Sequence, residues 1–263
     1  ITIDNVCESA GTFIVNATVD GQGHRCDVES NSVEYRVEKI ETFTNVTILS
    51  NTIGNVKINV TVRDANENIV TGSINLTVNG QSQTVTIEGQ SQEIELDITS
   101  LGDADVTVQY MGSDRYMQSD AKDTQTEELL EKITVVKIPS TISIGFNTTP
   151  ANVNRTNTIN GTLLDESEQA IANAIVEIII NDTTVGYNKT DESGQYIYHF
   201  TPSVNATVDV KVSYEGDNTH ASITNTTSLL ITKINTTTLV STANTTAGNV
   251  SINVEILDNE NKS

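Results

Sequence analysis

The residues able to do chemistry are few and scattered. Histidine occurs at His24, His199 and His220, and cysteine at Cys7 and Cys26. A nucleophilic pair would have to join one of these cysteines to one of these histidines, and no spacing supports it. No acid, base and nucleophile converge, so the expectation is a protein that is not an enzyme. If Cys7 and Cys26 pair, they close a loop of about 20 residues, worth roughly 3 kcal/mol in the chain-entropy picture, and imply an oxidising, extracellular setting. Free thiols are a second reading, and a metal site with His24 a third, although two cysteines and one histidine fall short of a closed tetrahedral set.

Oxygen ligands are the other resource. Asp64, Asn66 and Asn68 alternate as a hard cation requires, and Asp165 with Ser167 and Asp258 with Glu260 stand in similar stretches. A calcium loop of the EF-hand type needs Gly at its sixth position and Glu at its twelfth; the chain has Ile69 and Asn75 there. A weak calcium site and a plain acidic turn both fit. No other cofactor is expected.

Asn-x-Ser/Thr sequons begin at Asn16, Asn45, Asn59, Asn75, Asn147, Asn154, Asn160, Asn181, Asn188, Asn205, Asn225, Asn235, Asn244, Asn249 and Asn261. They are candidate glycan sites of a surface glycoprotein, or a by-product of Asn and Thr on exposed strand faces. With 35 acidic against 14 basic residues the net charge is −21, which argues against nucleic acid and anionic membrane as partners. A solvated acidic surface, a divalent cation and a basic partner remain. No apolar run approaches the roughly 18 residues of a membrane span, so this segment is not expected to insert. With no initiator Met or apolar h-region at its start, the chain reads as a piece of something longer.

What positions these residues is a repeat. Lys39 and Lys233, Gly54 and Gly248, and Asp64 and Asp258 all lie 194 residues apart, and 39–64 against 233–258 gives 13 identities in 26. Residues 58–64 match 159–165 at an offset of 101, so the period is about 97 residues, half of 194. That is the size of a self-sufficient domain rather than a solenoid unit. The division is 1–38, the terminal strands of a partial module; 39–137 and 138–233, two full modules; and 234–263, the initial strands of another.

Within the modules apolar residues alternate with polar ones, as in Val56, Ile58, Val60 and Val62. Period-two patterning marks half-buried strands, and about seven of them at short spacing mark a sandwich. Phe13, Val15, Ala17 and Val19, then Val33, Tyr35 and Val37, continue the pattern before the first full module. Tyr110 to Lys137 spans 27 residues where Tyr214 to Lys233 spans 19. The surplus falls in Ser119 to Lys132, expected as a loop with a trace of helical period at 126–132, and loops at sandwich ends are where binding surfaces sit.

The Lys-Ile starts at Lys137 and Lys233, the Asp-rich turns, Thr190-Asp191-Glu192-Ser193-Gly194-Gln195-Tyr196 and the ending at Tyr214-Glu215-Gly216-Asp217 resemble bacterial-type Ig-like repeats. The resemblance is closest to those of adhesin-like surface proteins of methanogenic archaea. The first full module lacks the Thr-Asp-x-x-Gly-x-Tyr stretch, and without Trp no antibody-type core is expected. The resemblance implies an all-β chain of tandem Ig-like β-sandwich modules in an elongated rod, at the cell surface. Its role would be a non-enzymatic stalk or adhesin segment, with neighbouring modules, copies of itself or a host or cell-surface ligand as partners. Two alternatives stand beside it: binding through the 119–132 loop, and an extracellular filament built by strand exchange between the partial modules.

Overall fold

The computed structural model describes residues 7–19, 23, 28–29, 31–246 and 248–258, and among them every regular element is a strand. The chain divides into two compact units, Ile1–Val136 and Lys137–Ser263.

The first unit opens with β1 (Gly11–Val15), β2 (Thr18–Val19), β3 (Val28–Glu29) and β4 (Val33–Val37). β1 pairs antiparallel with β4, Phe13 against Tyr35, and their rings stack with centroids 5.5 Å apart. Then come β5 (Thr42–Thr52), β6 (Asn55–Asp64), β7 (Gly72–Val78), β8 (Gln81–Ile87), β9 (Gln92–Leu96), β10 (Gly102–Tyr110), β11 (Ser119–Asp123) and β12 (Lys132–Val135). Their order is β8-β7-β10-β11-β5-β6-β9, with β12 also on β10. β11 bonds to β10 on one side and β5 on the other, so the two faces of this sandwich close into one folded sheet. Alternation sets the core: Val56, Ile58, Val60 and Val62 are buried with Ile74, Leu76, Val106 and Val108 of the facing strands. Burying each such side chain is worth about 1.5–3 kcal/mol.

The second unit repeats the plan with β13 (Ser140–Ile142), β14 (Gly145–Phe146), β15 (Ala151–Asn152), β16 (Asn157–Asp165), β17 (Ile175–Ile180), β18 (Thr183–Lys189), β19 (Gln195–Phe200), β20 (Ala206–Tyr214) and β21 (Ile223–Thr232). One sheet is β13-β16-β14 with β19 on β16; the other is β15-β21-β20-β17-β18. This is the strand arrangement of an Ig-type sandwich. Its core is a separate cluster, including Ile159, Leu163, Val176, Ile178, Val210 and Val212. The unit ends in β22 (Thr236–Thr246) and β23 (Asn249–Asp258), which pair only with each other among the described residues.

Ser119 to Lys132 is not a loop. It holds β11, a tight turn and the first residue of β12, and it carries no helix: Glu127 turns the chain at a left-handed φ of +60°, and Lys122 bridges back to Leu129. Ala121 and Leu130 are buried and anchor the segment in the core. The surplus residues split the last strand into β11, which serves β5, and β12, which serves β10; the second module meets both needs with the single β21.

In each module the first and last strands run parallel. β5 pairs with β11 and Thr52 bridges Val136; β15 pairs with β21 and Ile138 bridges His220. A chain whose opening and closing strands point the same way enters a module at one pole and leaves at the other.

Candidate functional site

The best-defined polar constellation is where a module's opening residues meet its last turn. Ile138 donates its N–H to the Thr219 carbonyl and accepts from the Ala221 N–H, each at 2.8 Å, and Ser140 Oγ donates to the Ala221 carbonyl at 2.9 Å. Lys137 Nζ donates to the Asp217 carbonyl. The first module makes the same clasp: Ile40 bonds Arg115 and Met117 through its backbone, and Thr42 Oγ1 donates to the Met117 carbonyl at 2.9 Å. The Lys-Ile and Tyr-x-Gly motifs, which recur in the sequence as the start of one module and the end of another, thus belong to one joint within a single module.

Asp217 holds that joint. Its Oδ1 accepts from the Thr219 N–H at 2.7 Å and the His220 N–H at 2.6 Å, and its Oδ2 lies 3.0 Å from His220 Nδ1. Burial works to raise its pKa, but the His220 ring, the two amides and the Thr219 hydroxyl outweigh it and hold the carboxyl well below the usual range. In the first module Ser113, not Asp114, takes this place, its Oγ accepting from the Arg115 and Tyr116 N–H groups. Gly112 and Gly216 precede these residues at φ +75° and +83°, and a Cβ on Gly216 would sit 2.8 Å from the His220 carbonyl oxygen. A folded-state pKa below the unfolded value of about 3.9 stabilises at every pH above that value, and the contribution disappears as pH falls through the folded pKa. Asp217→Asn should therefore lower the melting temperature of the second module at pH 7 and flatten its fall between pH 4 and 2. Calorimetry across that range checks it, and an unchanged acid slope refutes it.

Asp64, Asn66 and Asn68 come together in one turn, with the carboxylate turned on the turn itself. Asp64 Oδ1 accepts from the Asn66 and Asn68 N–H groups at 2.9 and 3.0 Å, and Asn68 Nδ2 donates to Oδ2 at 3.1 Å. These bonds, the Asn68 side chain first, hold the Asp64 carboxyl below its ordinary pKa. Asp165 and Asp191 build the same loop, each Oδ1 accepting the N–H groups two and four residues on. All three loops carry a left-handed residue three positions after the aspartate, Glu67, Glu168 or Gly194. The oxygens that a cation would use face N–H donors, and among the described residues no group of three His, Cys, Asp or Glu gathers as a metal set.

The sequons fall into distinct settings. Asn16, Asn154, Asn205 and Asn235 are exposed and outside strands. Asn45, Asn59, Asn75 and Asn160 lie half-buried within strands. The side chains of Asn147, Asn181, Asn188 and Asn225 bond backbone groups of neighbouring strands. Asn244 and Asn249 lie in β22 and β23, and Asn261 lies outside the described residues. So do His24 and Cys26, half of the expected disulfide; Cys7 Sγ lies 3.5 Å from the Tyr35 hydroxyl.

Three features escaped the sequence reading. Asn157 is buried and bonds four groups of the 148–155 segment. Tyr196 donates to the Ser143 carbonyl at 2.5 Å, and burial raises its pKa. The Tyr214 hydroxyl is buried beside the Asp217 carboxylate, and burial first and that carboxylate second raise its pKa, whereas its counterpart Tyr110 donates to the Thr71 carbonyl at 3.3 Å. Beside Tyr214 lies a groove of about 570 Å³ lined by Ile175, Glu177, Tyr187 and Glu215.

No family profile matches the sequence, and no curated protein does. Among solved structures, the fibronectin(III)-like modules of Clostridium thermocellum CbhA are 16% identical with a TM-score of 0.30, over 72% of this chain and 94% of that one. The Yersinia pseudotuberculosis adhesin InvE is 16% identical with a TM-score of 0.26, over 72% and 58%. The Escherichia coli adhesin FdeC is 17% identical with a TM-score of 0.30, over 85% and 74%. At these values nothing those proteins do carries over to this chain.

Proposed function

We propose that the chain is a non-enzymatic, tension-carrying segment of an adhesin-like extracellular surface protein, a stalk built from Ig-type modules. The observation that carries this is the parallel pairing of opening and closing strands in each module. Force applied at the two poles pulls those strands past each other along their length. It therefore loads all the bonds of the clasp at once, where peeling would break them one at a time. The net charge of −21 keeps such a segment soluble and self-repelling. Its ligands would sit elsewhere on the parent protein.

Single-molecule force measurements test this. Pulled at its ends, the chain should show one step per complete module, each releasing about 300 Å, since roughly 97 residues extend at ~3.6 Å each from a fold some 35–45 Å long. Moving one tether into the β5–β6 turn of the first module, so that β5 is peeled from β11, should lower that module's unfolding force severalfold. Equal forces in the two geometries would sink the reading.

A second reading is favoured by the apolar rows that β22 and β23 leave in water: copies of the chain assemble through their ends into an extracellular filament. Exposed strand edges and apolar faces of this kind pair with other chains.

A further inference from the structure

Four sequons gather at the pole where the chain leaves the second module. The turn that holds Asn154 is tied there by two backbone bonds, the Asn154 N–H to the Pro202 carbonyl at 2.8 Å and the Val153 N–H to the Thr232 carbonyl at 3.0 Å. Asn205 stands immediately before β20, whose first residue, Ala206, faces Ile231 near the end of β21. Asn181 opens the turn between β17 and β18, donating its N–H to the Asp209 carbonyl and accepting the Asp209 N–H on Oδ1, each at 3.0 Å. Asn235 lies in the stretch that joins β21 to β22. A cavity of about 310 Å³ lined by Asn181, Pro202, Val204 and Ile231 marks the same pole.

All four asparagines are exposed, and so are Thr156, Thr183 and Thr207, the hydroxyl residues of the sequons at Asn154, Asn181 and Asn205. The bond from Asp209 engages the amide oxygen of Asn181 and not the nitrogen that a sugar takes. Three other sequons of the module are closed. Asn160 is half-buried in β16, and Asn225 Nδ2 is committed to the Ile142 carbonyl at 2.9 Å. Thr190, the hydroxyl residue of the Asn188 sequon, is 2% exposed and donates to the Ile171 carbonyl at 2.7 Å.

The first module ends in the same turns without the sequons. Its β5–β6 turn is Ile53-Gly54, Leu101 stands before β10, and Pro139 follows Lys137-Ile138 where Asn235 follows Lys233-Ile234. Its β7–β8 turn reproduces the one at Asn181: Asn79 has the same φ of +47°, donates to the Asp105 carbonyl at 2.8 Å and accepts from the Asp105 N–H at 3.0 Å. The third sequon position sets the two turns apart, with Gln81 where the second module has Thr183.

We infer that Asn154, Asn181, Asn205 and Asn235 carry N-linked glycans that ring the exit of the second module and shield the exposed Lys233 link from proteases. At each site Nδ2 attacks the anomeric carbon of a lipid-pyrophosphate-linked oligosaccharide; a nitrogen–carbon bond forms, the lipid pyrophosphate leaves with the electron pair of the broken bond, and the amide gives up one proton. The inference rests on the extracellular reading above and names the surface that the sugars occupy.

Glycopeptide mapping of the chain isolated from the cells that make it tests this. The four pole sites should be occupied, and Asn160, Asn188 and Asn225 bare. A Gln81→Thr variant made in the same cells should gain one further glycan, at Asn79, because the turn geometry is already in place. Enzymatic removal of the glycans should speed trypsin cleavage after Lys233 severalfold and leave cleavage after Lys137 unchanged. Bare asparagines at the pole, or occupancy no higher there than at the three closed sequons, overturn the inference. So does an unmodified Asn79 in the Gln81→Thr chain, and a cleavage rate after Lys233 that deglycosylation leaves alone overturns the shield. The force steps expected above are read on the same material and decide the stalk reading separately.

Discussion

Gly161→Ala should cost the second module about 3 kcal/mol, at the upper end of what overpacking removes, and lower its melting temperature by on the order of 15 °C for a domain of this size. A Cβ at this position would sit 2.0 Å from the Ser143 carbonyl oxygen and 2.6 Å from the Tyr196 hydroxyl. The nearest obstacle is backbone, so β16 and the Ser143 segment have to separate, and the Tyr196 bond to Ser143 is lost with them. Tyr196→Phe isolates that bond and should cost about 1 kcal/mol. Gly89→Ala, where a Cβ meets nothing within 4 Å, should leave the melting of the first module within about 0.5 kcal/mol of wild type. Calorimetry resolves the two modules because their cores are separate. A Gly161→Ala loss no larger than that of Tyr196→Phe would mean that the strands yield at no cost.

Asn157→Leu should cost about 3 kcal/mol. Asn157 Oδ1 accepts from the Asn152 N–H at 3.0 Å and from Thr148 Oγ1 at 3.2 Å, while Nδ2 donates to the Asn152 and Arg155 carbonyls at 2.9 and 2.8 Å. Leucine leaves these groups without partners at a site 2% exposed, and each buried orphan costs about 1–3 kcal/mol. Asn157→Asp adds a sign test. A carboxylate facing two carbonyls is disfavoured, so its folded pKa lies above the unfolded one. The variant should be closest to wild type below about pH 4 and lose stability as pH rises through the folded pKa. Urea unfolding at pH 3 and pH 7 reads this out, and a variant more stable at pH 7 would contradict the assigned donors.

Asn157 shows where sequence reading stops. Val56 to Val62 announce their burial by alternation, because β-branched side chains at every second position have one way to leave water. Asn157 lies amid polar neighbours and gives no such signal. Ser119 to Lys132 misled for a related reason: the inner row beside β11 is held by hydroxyls, Thr42 and Thr44 each bonding Ser119 Oγ, at 2.9 and 2.7 Å. A core edge built from Thr and Ser looks like a loop to any reading based on hydrophobicity. The clasp was half legible. Its motifs stand out as repeats, but Ile138 meets Thr219 across some 80 residues of chain, a separation that local periodicity does not report. The acidic turns were legible as turns, while their carboxylates' partners follow from backbone geometry that spacing alone leaves open.

Entry at one pole and exit at the other also bears on how such a gene can change. Duplicating or deleting one unit between successive Lys-Ile starts alters no buried contact within the remaining units, since each closes its own core and its own clasp. Recombination between repeats then changes the number of modules one at a time, and that number becomes a trait that selection can adjust without rebuilding any module's core.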